Sequence, residues 1–214
     1  MTTAEAILRC KIIIDKYGSP TILDSEWVGH LNSAQYEVLN RMIPDTIGGV
    51  ANYEVTADAL ANVSPLIYTV TANPSSGLIT FSNLTTSLRA ASSDNSCTVF
   101  RVLNMATADD TMIKFVKHNN LYSYKANVFK APTDSNPMFT IIAQGYQIYP
   151  STGVTVRLTL MKTPKTLTNT GESLEFSDYV AQQVILQAVK LAGVGIRDQE
   201  VIMDVRNTGF QSAQ

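Results

Sequence analysis

Apolar residues recur at helical spacing at both ends of the chain and at strand spacing in its middle. In the first forty residues two periodic stretches flank Gly18, Ser19 and Pro20, a turn where glycine ends a helix cheaply and proline cannot continue one. The first stretch predicts a helix from about Thr3 to Tyr17. Thr2 and Glu5 stand at capping-box spacing, and Ile7, Leu8, Ile12 and Ile14 or their neighbours form the apolar face. The second takes Asp24 as N-cap and Glu26 in the dipole-favoured first turn. It carries Trp27, Leu31, Ala34, Val38 and Met42 three to four residues apart, before Pro44 stops it. Near the other end Ser177 caps a helix with the stripe Val180, Val184, Ala188 and Leu191, Ile185 and Ala192 beside it, and Gly193 and Gly195 ending it. A short helix over Asp198 to Val205 and a polar tail, 207–214, follow.

From Gly48 to about Thr163 the pattern changes: Thr, Ser, Asn and Gly punctuate short runs of Val, Ile, Tyr and Phe, as in strands and turns. Strands are expected over Leu66–Ala72, Leu78–Ser82, Thr98–Asn104, Met112–Lys117, Phe139–Tyr149 in one or two pieces, and Val154–Met161. In the last, Val154, Val156, Leu158 and Leu160 alternate with Thr155, Arg157, Thr159 and Met161, which predicts one buried face and one wet face. Asn73 to Gly77 reads as a hairpin loop. The fold class is therefore α+β. Residues 1–47 and 164–206 form a helical bundle, 48–163 a β-rich domain of sandwich or barrel type, and 207–214 a C-terminal tail.

Composition narrows the function. At 214 residues with 45% hydrophobic and 16% charged positions, the chain can bury one large core or two modest ones. Lys and Arg number 16 against 18 Asp and Glu, a formal net charge of −2, so the basic excess of a dedicated nucleic-acid binder is missing. Cys10 and Cys97 are far apart, read as small buried hydrophobes, and fit a reducing compartment. No apolar run reaches the roughly 18–20 residues of a membrane span, and Glu5 and Arg9 interrupt the only apolar segment of Met1–Cys10, so neither membrane insertion nor an export signal is expected.

Reactive side chains are few. His30 lies on the second helix as a core-edge imidazole, and His118 ends a strand beside Asn119 and Asn120 as a turn histidine. Asp109 and Asp110, between Thr107 and Thr111, read as turn chemistry, and neither Gly48–Gly49 nor Gly193–Gly195 completes a phosphate-binding loop. No catalytic, cofactor-binding or metal-ligating residue is assigned, and no enzyme is expected. In the tail, Phe210 with Gln211 beside it is the candidate partner contact.

Several segments in order carry a likeness to a known family: Ser19–Pro20, Asp24, Glu26, Trp27, Leu31, Asn32, Ala34, Gln35, Glu37 and Leu39; Val116, His118, Asn119, Asn127, Phe129, Ala131 and Pro132; Gln147–Pro150; Val156–Thr163 with Pro164; then Leu174 and the Tyr179–Ala188 helix. Together they resemble the head-to-tail adaptor or ring proteins, the connectors, of short-tailed and crAss-like bacteriophages. The resemblance implies a structural virion subunit. It would form a homo-oligomeric ring, a dodecamer, stacked on the portal protein at the portal vertex and contacting further ring or tail proteins. Such a ring is assembled in the bacterial host cytoplasm and lets DNA pass through its channel without specific binding. The segment Gly48–Ser96 departs from that family pattern and reads as an insertion. Two other classes compete: a tail-completion or decoration protein of the virion, and a carbohydrate-binding β module using Tyr53, Tyr68, Tyr122, Tyr124, Tyr146 and Tyr149.

Overall fold

The Thr2 hydroxyl accepts the Glu5 backbone N–H at 3.2 Å and starts α1 (Thr3–Asp15), while the Glu5 carboxylate bonds Arg9 at 2.7 Å. The computed structural model describes residues 1–15, 22–43, 60–151 and 155–196. The expected face of α1 needs correction. Thr3, Ala6, Ile7, Cys10 and Ile14 are buried, whereas Leu8 and Ile12 are 57% and 51% exposed. Two adjoining stripes share this helix, and packing selects the one whose small Ala6 and Cys10 permit close approach.

A second correction concerns α2 (Asp24–Met42): Leu23 rather than Asp24 is its cap, because the Glu26 carboxylate reaches back to the Leu23 N–H at 2.9 Å. Asp24 instead pairs with Lys11 at 2.6 Å. Trp27, Leu31, Ala34 and Val38 are buried in one stripe, as their spacing predicts, and Met42 is half-buried. Ser177 caps α5 (Asp178–Ile196), its hydroxyl 3.5 Å from the Val180 N–H and its carbonyl accepting from Ala181 at 2.9 Å. Gly193 and Gly195 do not end that helix. The cost of about 1 kcal/mol per helical glycine is outweighed where Val189 and Ala192 go on burying the same face.

The chain divides into two compact units, Met1–Leu66 with Pro164–Gln214 and Ile67–Thr163. In the first, α2 packs on α5 and α1 packs on both. The two ends of the chain are stitched together: Thr3 donates its N–H to the Glu172 carbonyl at 2.8 Å, and Leu174 donates to Met1 at 3.0 Å. Asn32 brackets Leu167, its amide nitrogen donating to the Leu167 carbonyl and its oxygen accepting the Leu167 N–H, both at 2.9 Å.

The second unit holds β1 (Ile67–Ala72), β2 (Leu78–Thr80), α3 (Phe81–Ser92), β3 (Val99–Thr107), β4 (Lys114–Phe115), α4 (His118–Ala126), β5 (Met138–Ile142), β6 (Gly145–Tyr149) and β7 (Val156–Lys162). One sheet has the order β1-β7-β3, the other β2-β6-β5-β4, antiparallel apart from the parallel β4–β5 pair. Val70, Met105, Val156, Leu158 and Leu160 of the first sheet, Ile79 and Ile148 of the second, and Leu84 and Leu88 of α3 form one core. Met161 departs from the expected alternation, being buried on the opposite face of β7.

Other expectations change here. β1 and β2 belong to different sheets, so Asn73–Gly77 is no hairpin loop between them; Ser75 and Leu78 instead close a tight turn, with Ser76 and Gly77 at φ 51° and 79°. The strand expected over Leu78–Ser82 stops at Thr80, whose hydroxyl caps α3 at Asn83 N–H, 3.2 Å. Of Met112–Lys117 only Lys114 and Phe115 pair as a strand, and His118 opens a helix rather than ending a strand. The turn at Gly18–Pro20, the stop at Pro44, Gly48–Gly49, Tyr53, Val154, the 198–205 helix and the tail with Phe210 and Gln211 lie outside the described residues.

Candidate interaction surfaces

Among the described residues the chemistry-bearing side chains do not converge. His30 is half-buried on α2 with its ring edge-on to Trp27, centroids 5.9 Å apart, and His118 is exposed at the start of α4, edge-on to Tyr122 at 6.3 Å. Cys10 is buried in the helical unit, where desolvation pushes its thiol up to about 12, and Cys97 is buried in the β unit with Sγ 3.3 Å from the Ser92 hydroxyl. Both cysteines are free. Asp110, at φ 60°, closes the turn after β3 and pairs with Arg157, while Thr107 and Thr111 bond across it at 2.9 Å. Among the described residues no three His, Cys, Asp or Glu side chains gather as metal ligands, and no helix is long and apolar enough to cross a membrane.

Among the described residues, exposed apolar side chains gather most clearly in three places. On the helical unit, Leu8 and Ile12 stand one turn apart on α1, each more than half exposed, and Leu23 precedes α2 at 64%. Across the four-stranded sheet, Tyr146, Phe139 and Phe115 continue from Phe81 at the start of α3 in a row with centroids 5.4–5.8 Å apart. Neighbouring rings are tilted or edge-to-face, at 53–80°, and Phe81 and Phe115 at the ends are 42% and 41% exposed. Of the six tyrosines singled out from the sequence, Tyr146 lies in this row.

The third place is the segment around α4. Leu121 anchors that helix on the sheet beside Val116 and Met138, with Tyr124 and Tyr149 packed around them. Lys114, Lys117, Lys125 and Lys130 are all exposed, as are Tyr122, Val128 and Phe129, the last at 96%. Lys125 Nζ sits 3.8 Å above the Tyr149 ring, and Lys114 donates to the Asn136 side-chain oxygen at 2.9 Å. Averaging charge over the chain hides this cluster, although the spacing of the lysines could have shown it. Neither a protein-family model nor a curated protein matches the chain.

Proposed function

We propose that this chain is a subunit of a bacteriophage head-to-tail connector ring, stacked on the portal and joining capsid to tail around a DNA channel. A ring subunit must present its neighbour with a surface that is heterologous and closes after a fixed number of copies; it needs no reactive group. The observation that carries the reading is the second apolar stripe of α1. Its inner stripe is used within the subunit, and Leu8 and Ile12 remain more than half exposed, as a contact to the next copy requires. The alternative of a carbohydrate platform draws on the aromatic row, whose neighbouring rings meet at 53–80° and so share no single flat face.

Leu8→Gln with Ile12→Gln keeps helix propensity and removes the stripe. Burying two such side chains contributes about 3 kcal/mol per contact. The double variant should therefore stay folded by circular dichroism while its co-sedimentation with portal rings falls at least tenfold. Unchanged occupancy on the portal would remove α1 as the ring contact.

A further inference from the structure

We infer that the surface of the β unit from Lys114 to Lys130 binds single-stranded nucleic acid. The inference stands on this surface alone and goes beyond the ring reading. No acidic residue occurs between Asp110 and Asp134, so a chain of net charge −2 carries a stretch with four lysines and no carboxylate. Among the described residues none of the four makes an ion pair. Their charge is available to a ligand. Interleaved with them are two aromatic rings that the fold turns outward, Tyr122 at 71% and Phe129 at 96% exposure. Phe129 is held out by construction. The Asn127 side-chain oxygen accepts its N–H at 3.0 Å, and the Asn127 carbonyl accepts from Lys130 and Ala131 at 3.0 and 2.8 Å.

Charge and rings together select the ligand. An acidic protein would neutralise the lysines and leave two exposed rings unused; an apolar protein surface would cover the rings and strand the lysines. A single strand offers phosphates to the ammonium groups and unpaired base faces to the rings, the combination used by proteins that bind single strands without sequence preference. Lys117 precedes α4 as its N-cap and Lys125 lies in its last turn, eight residues apart and so about 12 Å along its axis, a span of a few nucleotides. Four phosphate contacts make a weak, salt-sensitive site. That accords with a net charge too low for a dedicated binder.

The test is fluorescence anisotropy of a labelled twelve-nucleotide oligothymidylate titrated with the full chain. Duplex DNA of equal length and polyglutamate of equal charge serve as comparisons. Binding should weaken with salt at a log–log slope of about −3, set by about 0.7 per phosphate contact on a single strand. Lys117→Gln with Lys130→Gln should weaken binding at least tenfold and flatten the slope by about 1.4. Tyr122→Ala with Phe129→Ala should cost at least tenfold on the single strand. These residues are exposed, so each variant should keep the parent's circular dichroism spectrum, which is recorded alongside. No binding at low salt, or binding unchanged in the lysine variant, overturns the inference. So does equal displacement by polyglutamate, which would assign the surface to an acidic protein, or duplex binding as tight as the single strand with no loss in the aromatic variant.

Discussion

Gly145 opens β6 where that strand meets β2: a Cβ there would stand 2.0 Å from the Ile79 carbonyl oxygen and 2.8 Å from the Thr80 Cα. Both obstacles are backbone and cannot swing aside, so Gly145→Ala should lower unfolding free energy by about 3 kcal/mol or more in urea titrations. A loss under about 1 kcal/mol would mean that the β2–β6 pair shifts freely. A different residue-scale device lies at the end of β7. Lys162 continues the inward row of Val156, Leu158 and Leu160, is 2% exposed, and meets Asp94 at 3.4 Å. Asp94 is held below the usual carboxylate range, chiefly by the Ser96 hydroxyl at 2.6 Å, with Lys162 assisting. A depressed folded pKa stabilises the protein above the unfolded value of about 3.9 and loses that contribution as pH falls through the folded value. Asp94→Asn should therefore be less stable than the parent at pH 7, with the difference shrinking below about pH 4, as thermal unfolding across pH will record. A difference that grew on acidification would contradict the pairing. The alternation along β7 makes the inward position of residue 162 legible from sequence; its acid partner, 68 positions away, is not.

At the scale of elements, the stripes of α2 and α5 were legible because burial repeats every three to four residues over five turns. Leu31 is fully buried in that seam, and Leu31→Ala should cost about 2–5 kcal/mol by chemical denaturation; a change within error would place it outside the core. The helices within the β unit are not legible from periodicity. The stretch that forms α3 is dense in Ser, Thr and Asn, which suit turns, yet Thr80 caps it, Leu84 and Leu88 bury one face, and Ser93 closes it at φ 54°. Its polar residues are absorbed by the helix itself: Thr85 and Thr86 donate their hydroxyls to the carbonyls four residues back, at 3.0 and 3.1 Å. In α1 the four large aliphatics fit two stripes equally, and only contact with α2 and α5 decides between them.

For the whole molecule, the α+β class followed from where each periodicity begins and ends. The separation of β1 and β2 into different sheets did not, since it depends on long-range pairing with β7 and β6 rather than on the turn between them. The candidate surfaces divide the same way. The lysine run around α4 is written in the sequence, whereas the exposure of Leu8, Ile12 and Phe129 is a property of the fold. The proposed connector ring is tested most directly by the native mass of the purified chain, alone and mixed with portal rings. A closed complex with a fixed integer of copies per portal, twelve by resemblance, is the expected result. A chain that stays monomeric in the presence of portal rings would contradict it.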